Sequence, residues 1–226
     1  MRIITGKYKK SNLFAVPGRT ARPTTDFTRE VIFTVLESCQ NLQVLDIYAG
    51  SGSLGLEALS RGARFVDFVD FSEKSIRTII KNVHKLGCKL DCKIHRKKVS
   101  AYLKSCNKKF DIILMDPPYD RKLVNKTIKH IFENELLKEN GKIVVEHSSR
   151  EKIDAIWQEN IDYQRDGKKT KITILKNMNY SEEEKDIIES LENNEWKSIG
   201  NLEEEKRRSQ EIAKNTIRKK VRNEDL

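Results

Sequence analysis

A doubly wound, mostly parallel α/β sheet is predicted for this 226-residue chain by three observations. Short β-type runs alternate with helical patterns from Gln43 to about Leu175, the order of repeated strand–helix units. The runs are almost unbroken in apolar residues, as strands covered on both faces require. A glycine-rich turn, Gly50-Ser51-Gly52-Ser53-Leu54-Gly55, links the first run to the helix after it.

Ahead of the series, residues 1–40 form a basic extension with Arg2, Lys7, Lys9, Lys10, Arg19, Arg22 and Arg29 against Asp26 and Glu30. Pro17-Gly18 breaks it, and a helix is expected from about Thr25 to Glu37. Its apolar face is read as Phe27, Val31 and Val35, with Phe33 and Leu36 beside them. Val44–Tyr48 is the first strand, followed by a helix through Leu59. Phe65–Asp70 leads to a helix over Glu73–Leu86 with Ile76, Ile79, Ile80 and Val83 on one face. A short strand near Lys93 and Ile94 and a helix near Ser100–Cys106 come next. Phe110–Met115, Lys142–Glu146 and Ile172–Leu175 complete the strands, so residues 41–177 are the main domain. In the tail, 178–226, Ser181 and Glu184 make a capping box ahead of Ile187, Ile188 and Leu191. A second thin stripe there holds Ile212, Ala213 and Ile217, too few apolar residues for a core.

Charge separates body from tail. The chain is 37% hydrophobic and 35% charged, with 44 basic and 34 acidic residues, and its pI is about 9.3. From Asn179 onward there are 10 basic and 13 acidic residues, leaving 34 and 21 in the first 178. A body this basic fits a nucleic-acid partner. No apolar run approaches the ~20 residues of a membrane span, and the opening lacks the apolar core of a signal peptide. Secreted and membrane-integral classes are set aside, and a cytoplasmic location is expected. The four cysteines, Cys39, Cys88, Cys92 and Cys106, are then read as reduced thiols. His84, Cys88, Cys92 and His95 are soft donors, but a helix end, a glycine and a strand would scatter them. No metal is expected.

Two motifs carry chemistry. The Gly50–Gly55 loop lies between strand and helix, where backbone approaches a ligand, and Asp70 ends the next strand. A carboxylate there accepts both hydrogen bonds of a ribose diol, which favours an adenosine-bearing cofactor. Asp116-Pro117-Pro118-Tyr119 ends the fourth strand. Its prolines stiffen the turn and remove N–H donors. A carboxylate, a rigid carbonyl and an aromatic ring match an exocyclic amine on a nucleobase. Asp116 and the Pro117 carbonyl accept its hydrogens, and Tyr119 stacks on the base.

The pair of motifs resembles Rossmann-like methyltransferases that use S-adenosylmethionine on exocyclic amines. More narrowly, residues 1–176 resemble the bacterial enzymes that methylate guanine N2 in small-subunit (16S) ribosomal RNA. The likeness rests on Arg2–Lys9, on Arg22-Pro23-Thr24-Thr25-Asp26-Phe27-Thr28-Arg29-Glu30 with Phe33, on Tyr48–Ala63, and on Val144-Val145-Glu146-His147. It implies a seven-stranded sheet whose last strand is antiparallel. It implies catalytic Asp116, Pro117 and Tyr119, and S-adenosylmethionine held by Asp46, Tyr48, Gly50, Gly52, Gly55, Asp70 and Val99. The partner implied is small-subunit RNA or a partly assembled 30S particle, gripped by Arg2, Lys7, Lys9, Arg22 and Arg29. No oligomeric state is predicted. One position departs from the family: Lys98 stands where an Asp usually receives the adenine amine, and a cation cannot accept that bond. Two alternatives remain: a DNA adenine-N6 or cytosine-N4 methyltransferase, and a non-catalytic RNA-binding assembly factor. Separately, Ile187–Lys220 has a short likeness to the N-terminal part of a ribbon-helix-helix antitoxin, which reads the tail as a fused fragment.

Overall fold

The computed structural model describes residues 1–18, 26–119, 121–167 and 169–177. The expectations for Arg19, Arg22 and the 178–226 tail therefore lie outside the described residues.

The chain opens with a small hairpin closed by an Arg2–Asn12 bridge and continues into helix α1, Asp26–Val35. Strands β1 (Gln43–Ile47), β2 (Phe65–Asp70), β3 (Cys92–Arg96), β4 (Phe110–Met115) and β5 (Leu137–Ser148) run parallel. Helices α2 (Ser53–Ser60), α3 (Glu73–Leu86), α4 (Val99–Ser105) and α5 (Val124–Glu133) fall between successive strands. Strands β6 (Ile161–Asp166) and β7 (Thr170–Lys176) form a hairpin, and β7 inserts antiparallel between β5 and β6. The order β3-β2-β1-β4-β5-β7-β6 is the mostly parallel, seven-stranded, Rossmann-like sheet expected.

Alternation along the strands builds two cores. Val44, Val66, Phe68, Ile112, Leu114, Val144, Ile172 and Ile174 meet α1, α2, α3 and the N-terminal hairpin. Leu45, Ile47, Val69, Ile113, Met115, Ile143, Val145 and Leu175 meet α4 and α5.

Helix faces differ from the sequence reading in two places. On α1, Ile32, Phe33 and Arg29 are buried, whereas Phe27 is 62% exposed. The expected Phe27–Val31–Val35 face is thus rotated, since Ile32 and Phe33 take the centre with Leu36. On α3 the buried stripe is Ser75, Thr78, Ile79, Asn82 and Val83, and Ile80 faces outward. Small polar residues there lie against backbone and satisfy it: Asn82 binds both backbone polar groups of Phe14 and the Ser51 carbonyl.

The basic extension is part of the folded body. Glu57, fully buried on α2, accepts the amides of Ile4 at 2.8 Å and Thr5 at 3.1 Å and pairs with Arg61 at 2.9 Å. Gly6 has φ +85°, and a Cβ there would lie 1.8 Å from the Ser60 carbonyl oxygen, so only glycine permits this contact.

Candidate active site

The parallel register sets the site. Ile47 pairs with Val69 on one side and Met115 on the other, and Met115 pairs with Val145. One residue further along each strand lie Asp70, Tyr48, Asp116 and Glu146, in one row at the C-terminal edge. Open α/β sheets bind ligands at this edge, and β1 and β4 flank the point where strand order reverses.

Asp70 is 5% exposed and accepts one amide on each oxygen: Gly50 N–H at 2.9 Å on Oδ2 and Ser72 N–H at 2.8 Å on Oδ1. The carboxylate thereby fixes the glycine loop and caps the approach to α3, and each oxygen keeps a further lone pair. Asp46 lies behind the loop and accepts Gly55 N–H at 2.9 Å. Burial pushes its carboxyl up to about 7, with Asp70 adding to the rise and the Gly55 amide opposing it. A Cβ on Gly55 would come within 2.4 Å of Phe68, so α2 can start this close to the sheet only with glycine here.

Tyr48, with φ +58°, turns its ring toward α5 and shares a 2.8 Å hydrogen bond between its hydroxyl and Thr127 Oγ1. Burial raises its phenol above the ordinary range, opposed by the Thr127 bond.

A cleft of about 610 Å³ opens here, lined by Tyr48, Asp70, Ser72, Val99, Leu103 and Pro118 among others. It is within the size range of small-molecule sites. Of the residues picked out from sequence, Tyr48, Asp70 and Val99 line it directly. Gly50 borders it through Asp70, while Asp46, Gly52 and Gly55 shape the loop from behind. Asp116 is half-buried at the end of β4, Pro117 is buried, and Pro118 reaches the cleft. Tyr119 is 37% exposed and donates its hydroxyl to Glu146 Oε1 at 3.2 Å. Thr127, Lys126 and His130 of α5 also line the cleft, as do Lys74 and Lys98. Sequence reasoning missed the α5 group because that helix carries no glycine or proline motif, only the apolar spacing Val124, Ile128, Ile131.

The proposed RNA-gripping residues divide. Lys7 and Lys9 are exposed on the N-terminal hairpin. Arg2 is exposed and paired with Asp26 at 3.2 Å. Arg29 corrects the sequence reading: it is fully buried, donating to the Arg2 carbonyl at 2.6 Å and to Asp26 at 2.7 Å. It ties the hairpin to α1 and has no surface to offer a phosphate. Of the soft donors considered for metal, His95 binds Asp67 at 2.7 Å, and the Cys88 thiol is buried against the Val83 carbonyl. The described residues include no helix long and apolar enough to cross a membrane.

Residues 1–176 match the family model described as conserved hypothetical protein 95. A relative from Escherichia coli (strain K12), ribosomal RNA small subunit methyltransferase D, is 33% identical over 147 residues, covering 65% of this chain and 74% of the relative. The chain belongs to this family. A second member, "Putative rRNA methyltransferase YlbH" of Bacillus subtilis (strain 168), is 38% identical over 151 residues, covering 65% of this chain and 82% of that protein. Among solved structures, "Putative methyltransferase yhhF from Escherichia coli" superposes with a TM-score of 0.71 at 29% identity, over 80% of this chain and 99% of the other. The row of Asp70, Tyr48, Asp116 and Glu146 is accordingly the candidate active site of an rRNA methyltransferase. The antitoxin-like reading of the tail falls outside the matched residues.

Proposed function

We propose that this rRNA methyltransferase modifies the exocyclic N2 of a guanine in small-subunit RNA, with S-adenosylmethionine as methyl donor. The observation that carries the reading is the Asp116-Pro117-Pro118-Tyr119 turn, set beside the Asp70–Tyr48 cleft by the register of β1 and β4.

The residues present fit that cofactor. The cleft joins an anchored carboxylate to an apolar wall of Val99 and Leu103, as a ribose diol beside an adenine ring requires. Asp70 would hold the ribose, and Tyr48 with the loop amides would enclose the amino-acid end. Lys98 lines the cleft at the start of α4, so the adenine edge would be met by backbone and Val99 instead of a side-chain acceptor. Bound there, the sulfonium supplies an electrophilic methyl group.

The chain's own part is positioning. Guanine N2 is weakly nucleophilic because its lone pair is delocalised into the ring. Asp116 and the Pro117 carbonyl would accept hydrogen bonds from its two N–H groups, turning the nitrogen toward sp³ and aiming its lone pair. Asp116 would take up the proton that nitrogen releases as the methyl bond to sulfur gives way to the bond to nitrogen. Tyr119, tethered to Glu146, would stack on the base. A base in structured RNA must leave its stack to enter, at a cost of about a few kcal/mol. Contacts from Lys7, Lys9 and Arg22 to phosphates would offset it. On this reading residues 1–40 and 41–177 form one enzyme acting in the cytoplasm on small-subunit RNA or a partly assembled 30S particle.

Nucleotide mapping of small-subunit RNA after incubation with the protein and labelled S-adenosylmethionine tests this. One N2-methylated guanine is expected. Label on adenine N6 or cytosine N4 overturns the assignment of the target atom, and absence of uptake overturns the enzymatic role.

A further inference from the structure

Phe27 exposes 62% of its surface on the outer face of α1, beside the exposed Glu30 and Thr34. A single exposed aromatic is ordinary on a protein surface. Its setting is not. The Arg165 guanidinium of β6 lies over the Phe27 ring, 5.1 Å from the centroid. Among the described residues no carboxylate pairs with Arg165.

The sheet fixes where this pair stands. Glu146 of β5 pairs with Ile172 of β7, and Ile172 pairs with Arg165 of β6. The three residues form one rung and share one face, the face that α1 covers through Ile32 and Phe33. With strands about 4.8 Å apart, Arg165 is about 10 Å along the catalytic edge from Glu146, which receives the Tyr119 hydroxyl. Arg150 and Lys169 are exposed at the adjoining β5–β7 end, where Ser149 N–H meets the Lys169 carbonyl at 3.1 Å. Arg2 is ion-paired with Asp26, the residue before Phe27. An open aromatic face, a stacked guanidinium and nearby exposed cations, here Arg150 and Lys169, are elements with which proteins hold unstacked bases.

We propose that Phe27 and Arg165 form a stacking platform for a base flanking the target nucleotide. The proposal rests on the reading of the substrate as RNA. The platform takes a neighbour splayed out when the target enters the cleft, and so helps hold the distorted strand open. It discriminates unpaired from paired RNA and tolerates any base, because every base offers a π-face.

The test uses the full chain, with small-subunit RNA as probe. Phe27→Ala should weaken RNA affinity about tenfold and raise KM for RNA equally. Its kcat at saturating RNA and its Kd for S-adenosylmethionine should stay within about twofold of wild type. Phe27→Tyr should restore affinity. The slope of log affinity against log salt should not change in Phe27→Ala, since no phosphate contact is lost. Because Phe27 is mostly exposed, its thermal midpoint should match wild type. Affinity within twofold of wild type in Phe27→Ala, or no recovery in Phe27→Tyr, overturns the platform while the RNA reading stands. Failure of the wild-type protein itself to methylate small-subunit RNA overturns the underlying reading and the platform with it.

Discussion

Asp70 and Asp116 stand on either side of Tyr48 in the same row, and the proposed reaction gives each a different task. Asp116→Ala should lower methyl transfer more than tenfold, over ~1.4 kcal/mol, with cofactor affinity almost unchanged. Asp70→Ala should do the reverse and weaken cofactor binding first, because it also releases the Gly50 and Ser72 amides. Paired calorimetry and single-turnover rates separate the two outcomes. Asp46 makes a pH prediction. Buried, it keeps its proton until about pH 7, whereas the unfolded carboxyl releases it near the ordinary value of 3.8. The stability tied to the protonated form is whole below about pH 4 and is lost as pH rises to about 7. Asp46→Asn does not titrate, so the wild type should lose ground to it across that interval in urea unfolding. A constant difference would show that the carboxyl ionises as freely folded as unfolded. The glycine loop, Asp70 and the Asp-Pro-Pro-Tyr turn were legible in sequence because each has a fixed offset from a strand end. Asn82 and Thr127 were not, since a lone polar residue in a helical stripe reads the same whether it binds a loop or faces water.

The N-terminal hairpin is held by polar contacts to α2 as well as by Ile3 and Leu13 in the core. Glu57→Ala would strip acceptors from the Ile4 and Thr5 amides and from Arg61. Each unsatisfied buried donor costs about 1–3 kcal/mol, so a loss of roughly 3 kcal/mol or more is expected. Limited proteolysis should then cut within the first residues, and an N-terminus as resistant as wild type would refute the anchor. Elements with strong apolar runs, β1, β2 and β4, were read within a residue or so. Strand β6 was not singled out: IDYQRD is a polar edge strand with only its alternate residues half-buried. The face of α1 was misassigned for a related reason. Its apolar residues crowd two sides of the helix, and the buried Arg29 fills a position that a hydrophobic pattern gives to solvent.

For the whole molecule, we hypothesise that residues 1–177 suffice for catalysis and that the tail is dispensable. Asn177 belongs with the body, its amide donating to the Gly141 carbonyl at 2.8 Å and its side chain to Lys138 at 3.1 Å. A 1–177 chain should therefore keep the thermal midpoint and turnover of the full protein, and loss of either would assign the tail to the enzyme. The position of β7 has another outcome. It is the last strand among the described residues, yet it is interior to the sheet, between β5 and β6. While the polypeptide emerges from the ribosome, β5 keeps an unpaired margin until Lys176 is available, and unpaired margins invite association with other chains. The β6–β7 hairpin must then arrive as a unit, and the same event brings Arg165 beside Phe27. Completion of the sheet is consequently late: a nascent chain lacking β7 has neither the full seven-stranded order nor the Phe27–Arg165 pair.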